Sequence, residues 1–282
     1  MNLPYFSSIG IGVTFSPNLK ANLYEAARLA MLFESKLILI HIGVASEEKT
    51  TRFQEILAPF FIDGLEIDIV YEPGKPVNSI LKSVQEKKID LLILGALKRE
   101  NFFKYYVGSI ARKITRKASC SVLLLINPSV ERIKCKHVVV NGLKDEKTEQ
   151  AIKVAFFTGS ALQAEQLTIV EEITQQEVAI SINDDKSLRR ANLKKEKLHR
   201  QEDTRIKTIV DTIPEKQKKG LSVRTQPIFG KRGYSIGHYA QVARADLLIM
   251  NGPKKSKFKD RLFPHDLEHI LTELPTDVLI IQ

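Results

Sequence analysis

Gly95 and Gly108-Ser109 stand thirteen positions apart with Lys98 between them, and these residue types at this spacing fit the binding of phosphate. Glycine lets a backbone approach an anion closely and adopts positive φ without steric cost. The N–H groups at a helix start point at such an anion, and the helix dipole favours it. Ser109 supplies a hydroxyl or caps the helix, and Lys98 supplies a cation. The same residues also fit a plain strand end and helix start with no ligand. Other candidates carry less. His265-Asp-Leu-Glu268-His269 has the His-x-x-Glu-His spacing of inverted zinc proteases, with both histidines on one helical face. Only thirteen residues follow it, so Glu273 or Asp277 would have to be the third ligand. An incidental surface pair is expected there, and no metal site. Gly10-Ile-Gly12 begins like a dinucleotide fingerprint, but Phe15 takes the place of its third glycine. His41 closes an apolar run and reads as a satisfied strand-end histidine. No Ser-His-Asp or Cys-His set follows from spacing, so no catalytic residue is expected.

For the two glycines to hold a phosphate, a strand must deliver the first and a helix must start at the second. The run Asp90 to Leu94 is such a strand, Ile110, Ile114 and Ala118 mark an amphipathic stretch, and Cys120 to Ile126 closes the unit as another strand. Upstream, Ser8 to Thr14, Lys36 to Ile42 and Leu65 to Val70 read as strands, alternating with helices near Leu23 to Met31, Glu47 to Phe60 and Pro76 to Lys87. The helix from Glu47 is expected to end near Pro59. Such alternation predicts a parallel sheet covered on both faces.

The frame then recurs in altered form. Asp246-Leu-Leu-Ile-Met250-Asn-Gly252 lies with its glycine 157 residues after Gly95, and thirteen residues later stand His265-Asp266 where the first copy has Gly-Ser. Leu267, Ile270 and Leu271 follow, and then the run Asp277 to Ile281. Between them the order repeats: a strand from His137, a helix from Glu146 to Ala161, a strand from Gln166 to Glu171, a long helix from Asp184 to Ile213, a strand Leu221 to Thr225 and a helix near Ile236 to Ala243. The chain therefore reads as α/β in two tandem domains, 1–128 and 136–282, each a five-stranded parallel sheet with helices on both faces, joined by a polar linker from Asn127-Pro128 to Lys136.

Composition agrees. The 282 residues accommodate two domains of ordinary size, and 43% hydrophobic with 27% charged residues describes globular protein with material for two cores. No apolar run approaches the roughly 20 residues that span a bilayer, and the opening Met1-Asn-Leu-Pro-Tyr5 lacks the basic start of a signal peptide. Cys120 and Cys135 give no disulfide framework, and Cys120 is expected to start a buried strand. A cytoplasmic protein with no membrane partner is expected. The net charge of +10 gathers in Lys186 to Lys219 and in Lys254 to Arg261. The long stretch mixes signs, as a solvated helix face does, and has no stacking aromatics, while the loop has only Phe258. Nucleic acid is therefore not the expected partner.

The frame Gly95-x2-Lys98-x9-Gly108-Ser109 resembles the ATP-binding signature Gly-x2-Gly-x9-Gly-Ser/Thr of the universal stress protein family. Ile11-Gly-Val-Thr-Phe-Ser-Pro17 is similar to that family's first strand and turn, Pro73-Gly-Lys-Pro76 with Asp90-Leu-Leu-Ile-Leu-Gly95 to its third-to-fourth-strand passage, and Ser119 to Leu124 to its closing strand. The likeness covers the first half and, more weakly, the second. It implies a tandem member in which two domains form a pseudo-dimer within one chain, the closing runs Val122 to Ile126 and Val278 to Ile281 meeting; a homodimer of chains is a further option. Two positions depart from the family pattern: Lys98 replaces its middle glycine, and Thr14 its strand-end aspartate. In the second copy Asn141 stands at that position and Asp266 replaces a phosphate donor, so that site is expected to be lost.

The resemblance thus implies adenine nucleotide, ATP with Mg, held in the first domain only. Gly95, Gly108 and Ser109 would be at the phosphates, Lys98 assisting, and Thr14 near the base. The implied role is stress-linked binding or regulation rather than turnover, with slow ATP hydrolysis at most. The alternative is a nucleotide-free scaffold that works through an unidentified protein partner at the basic second half.

Overall fold

The computed structural model describes residues 5–98, 105–174, 183–231, 233–252 and 265–282. The chain divides into two compact units. The first runs to Lys134 and takes back Gly252 and Leu271–Gln282; the second is Cys135–Asn251 with the helix residues up to Ile270.

In the first unit the order is β1 (Ser8–Val13), α1 (Leu19–Leu32), β2 (Lys36–Ile42), α2 (Glu47–Phe61), β3 (Ile67–Glu72), α3 (Pro76–Glu86), β4 (Leu91–Gly95), a two-stranded ribbon of β5 (Leu97–Lys98) and β6 (Tyr105–Tyr106), α4 (Ser109–Lys117) and β7 (Ser121–Leu125). Five strands lie parallel in the order β3-β2-β1-β4-β7. Leu37, Leu39 and Ile40 are wholly buried and Ile38 nearly so, as the unbroken apolar run predicts for a strand covered on both faces. The chain's last strand, β12 (Asp277–Ile281), adds to β7 antiparallel, pairing Val278, Leu279 and Ile280 with Leu124, Leu123 and Val122. Helix α2 continues through Pro59 to Phe61 rather than stopping near Pro59. A proline in the last turn forfeits one backbone hydrogen bond where the helix is ending in any case.

The second unit runs β8 (His137–Asn141), α5 (Thr148–Ala161), β9 (Gln166–Thr174), α6 (Asp185–Asp211), α7 (Glu215–Lys218), β10 (Ser222–Gly230), α8 (Tyr234–Val242) and β11 (Leu247–Asn251), with α9 (His265–Thr272) following. Its four strands are parallel in the order β10-β9-β8-β11. The chain is thus an α/β protein with parallel-dominated sheets and helices. Helix α6 starts at a capping box, in which Asp184 accepts from the Ser187 N–H and the Ser187 hydroxyl accepts from the Asp184 N–H.

One device recurs in both units. The Asp90 carboxylate, just before β4, accepts from the N–H groups of Ser7 and Ser8 at 3.0 Å each and from the Ser7 hydroxyl at 2.7 Å. Asp246, just before β11, accepts from the N–H groups of Lys136 at 2.7 Å and His137 at 2.9 Å. In each unit an aspartate ahead of the fourth strand therefore ties down the start of the first, across the central strand pair. Around the start of the linker, the Arg28 guanidinium of α1 donates to the carbonyls of Ser129 and Val130, while Glu25 accepts from the Ser129 N–H.

Hydrogen bonds that involve a charged partner contribute about 1.5–3 kcal/mol each, discounted where solvent reaches them. Asp90→Ala and Asp246→Ala should each destabilise the chain by about 1–3 kcal/mol in denaturant melts, and the double variant by about the sum, because the sites share no partner.

Candidate functional site

In an open parallel sheet ligands lie beyond the carboxyl ends of the strands, where the connections reverse direction. In the first unit that point lies between β1 and β4: the connections from β1 run outward through β2 to β3, then α3 carries the chain back across to β4. Thr14 follows β1 and is exposed; Gly95 ends β4 and is exposed. Gly108 is the N-cap of α4 in extended backbone, and Ser109 is its first residue. The Lys98 backbone pairs with Tyr105 in the ribbon; its side chain lies outside the described residues. The structure thus sets Thr14 and Gly95 at the ends of adjacent strands and Gly108 and Ser109 at a helix start in the same unit.

Two features of this crevice suit an anionic or polar ligand. No side chain caps the N-terminus of α4, and no acidic residue occupies its first turn, so the N–H groups there keep their capacity for an anion. The second feature is Asn22, on α1. Its Oδ1 is buried without a hydrogen-bond partner among the described residues, and it lies 3.5 Å from where a Cβ on Gly95 would stand. A buried acceptor left unpaired costs about 1–3 kcal/mol. Periodicity gave no signal for Asn22, because the residue counts only as one more polar position on α1.

The two loop glycines are kept for different reasons. Among the described residues a Cβ on Gly95 would meet nothing nearer than the Asn22 side chain. A Cβ on Gly252 would stand 2.5 Å from the Ile281 carbonyl oxygen, to which the Gly252 N–H also donates at 2.6 Å. Packing therefore requires glycine at 252 and does not require it at 95.

The corresponding region of the second unit is bonded to itself except at the Asn251 Oδ1, which is buried without a partner among the described residues. Asn141 is buried at the end of β8 and its Oδ1 accepts from the Leu143 N–H at 2.9 Å. Asn251, at the end of β11, donates to the Thr148 hydroxyl at 3.0 Å, and that hydroxyl donates to the Leu143 carbonyl. The side chains of His265 and Asp266 lie outside the described residues, as do residues 254–261 with their basic run. His269 is exposed and edge-on to Tyr234, with ring centroids 6.4 Å apart. Among the described residues no group of His, Cys, Asp and Glu is arranged to hold a metal.

The remaining chemical candidates are structural. The His41 ring nitrogen lies 3.2 Å from the Val13 carbonyl, and the ring packs against Phe15, Phe53 and Tyr71. Cys120 is buried, which pushes its thiol up to about 12 and leaves it inert as a nucleophile. Among the described residues no helix is long and apolar enough to cross a membrane.

Comparison with known proteins adds a family. Residues 43–125 match the family model "Universal stress protein family". A universal stress protein of Methanocaldococcus jannaschii is 29% identical over 68 residues, which are 24% of this chain and 40% of that protein. The chain spans about two fifths of the length of the curated relatives it matches. Among solved structures, a universal stress protein from Archaeoglobus fulgidus superposes with a TM-score of 0.67 at 14% identity, covering 98% of each chain. A functionally unknown protein from Pseudomonas aeruginosa superposes at 0.70, also at 14% identity, covering 99% of this chain and 93% of that one. These two likenesses concern the fold. The family-model match lies within the first unit, and there the chain is similar to the universal stress protein family.

Proposed function

We propose that the chain is a cytoplasmic tandem universal stress protein, its two copies at 1–128 and 136–282 forming a pseudo-dimer, that binds an adenine nucleotide in the first copy alone and acts by binding rather than turnover. The observation that carries this reading is the pairing of Gly95 with Asn22: a glycine that packing among the described residues does not require, beside a buried acceptor that none of them satisfies. Phosphate would sit against the N–H groups of Gly108 and Ser109, with Lys98 assisting, and the base would lie toward Thr14. ATP would bring Mg²⁺ on its phosphates. The bonds that tie Asn141 and Thr148 to Leu143, and the Asn251 amide N–H to Thr148, support a second copy without nucleotide.

A second reading rests on helix α6. Leu188 is 44% exposed and Leu193 60% exposed, among Arg189, Arg190, Lys194 and Lys195. On this reading the chain is a nucleotide-free scaffold whose basic second half meets a protein partner.

Thermal melts with and without Mg-ATP separate the two. A ligand that binds only the folded state stabilises it by about 2.7 kcal/mol at a hundredfold excess over Kd. Wild type should melt several degrees higher with millimolar Mg-ATP. In Gly108→Asp the new carboxylate caps α4 and competes for the same N–H groups, so the melting temperature without ligand should hold and the shift should vanish. A wild type indifferent to millimolar Mg-ATP would instead leave the scaffold reading.

Asn22→Leu removes the unpaired acceptor. Without nucleotide it should melt at or above the wild-type temperature, and the Mg-ATP shift should shrink. A lower melting temperature without ligand would show that Asn22 serves the fold. Gly252→Ala should cost about 1–3 kcal/mol as an overpacked site, while Gly95→Ala should change stability in the absence of ligand by no more than about 0.5 kcal/mol.

A further inference from the structure

The second unit buries a carboxyl group that no hydrogen bond among the described residues satisfies. Glu171 of β9 is 2% exposed, and among the described residues neither of its oxygens has a hydrogen-bond partner. Facing it from α6 is His199, whose Nδ1 lies 3.8 Å from Glu171 Oε2 and is likewise buried without a hydrogen-bond partner. The cleft between strand end and helix, bounded by Gly142 and Leu143 on one side and Leu198 and Glu202 on the other, holds about 30 Å³. That is room for about one water, which excludes an organic ligand.

The other charges around Glu171 are committed or repulsive. Glu202 and Asp203 of α6 are like charges. Arg205 of α6 is already bound to Glu202 and to the Gly142 carbonyl, and Asp203 accepts from the Thr225 hydroxyl of β10. Glu172, next along β9, accepts from the N–H groups of Gly233 and Ile236 at the start of α8. Lys144, after β8, lines the cleft but is exposed. Pro227 stands opposite Glu171 on β10 and brings no charge.

We propose that Glu171 docks against α6 as the neutral acid, and that its proton latches α6 onto β9, so that the long helix is released as pH rises. The helix depends on few anchors: over its 27 residues only Ala191 and Ile206 are buried. Burial, and then the charge of Glu202, pushes the Glu171 carboxyl from 4.5 up to about 7. The docked helix therefore retains a proton that a free glutamate would release. The stabilisation is complete below pH 4.5 and is lost as pH rises through about 7.

Hydrogen exchange on the full chain tests this, with rates corrected for intrinsic chemistry at each pH. Between pH 5.5 and 8 the amides of α6 should lose protection at least about tenfold in wild type. A carboxyl that holds its proton more than tenfold tighter in the docked state changes the opening equilibrium by a comparable factor as it titrates. In Glu171→Gln, which keeps the shape and removes the titration, protection should be flat across the same range. An equal loss in Glu171→Gln, or no loss in wild type, would overturn the latch. Because the variant could fold poorly, the Glu171 carboxyl carbon should also be titrated in wild type by NMR. A midpoint near 7 supports the latch, and one near 4.5 refutes it.

Discussion

The central strands are covered on both faces, and this constraint determines where polar chemistry can occur. From Leu37 to Ile40 the backbone of β2 lies in apolar surroundings, and β4 and β7 are alike. A charge placed there without a partner would cost several kcal/mol. Ionisable side chains are accordingly found at strand ends. At the starts, Asp90 and Asp246 bind backbone N–H groups and hold the central strand pairs together. At the carboxyl ends, where parallel sheets admit ligands, Thr14 is exposed, His41 packs among aromatic rings, and Glu171 and Glu172 meet α6 and α8.

The two copies show how one pattern serves two purposes. Gly95 and Gly252 occupy the same place in the repeat, yet their surroundings differ. At 252 the backbone of Ile281 crowds the position, so packing alone accounts for glycine. At 95 the neighbour is the side chain of Asn22, whose oxygen is unpaired. In the second unit the amides Asn141 and Asn251 and the hydroxyl of Thr148 form bonds across the strand ends that bring the protein's own groups together. Each unit also leaves one buried amide oxygen without a partner among the described residues, Asn22 Oδ1 in the first and Asn251 Oδ1 in the second.

Glu171 and Glu172 make a similar contrast within one strand. Successive side chains on a strand point to opposite faces, so adjacent identical residues meet different helices. Glu172 meets the start of α8 and is satisfied by two backbone N–H groups. Glu171 meets the flank of α6, where the His199 Nδ1 stands 3.8 Å away, beyond hydrogen-bond reach. A buried acid of this kind destabilises the fold unless it carries a proton, and it makes the attachment of a polar helix sensitive to proton supply.

The α/β class, the parallel sheets and most element positions were legible in the sequence because they follow from hydrophobic period and length, which are local. The lengths of β9 and β10 were not: β10 runs to Gly230 through Pro227, sustained by pairing with β9 rather than by any property of its own residues. The glycine frame and its broken echo were equally plain, since spacing survives in one dimension. Asn22, Glu171 and His199 carry no such mark, because an unpaired acceptor or acid is defined by what fails to reach it in space. The 157-residue offset between Gly95 and Gly252 was written in the sequence. Only the tertiary structure decided that one glycine is crowded by a carbonyl and the other faces an unsatisfied amide, because both depend on residues distant in the chain.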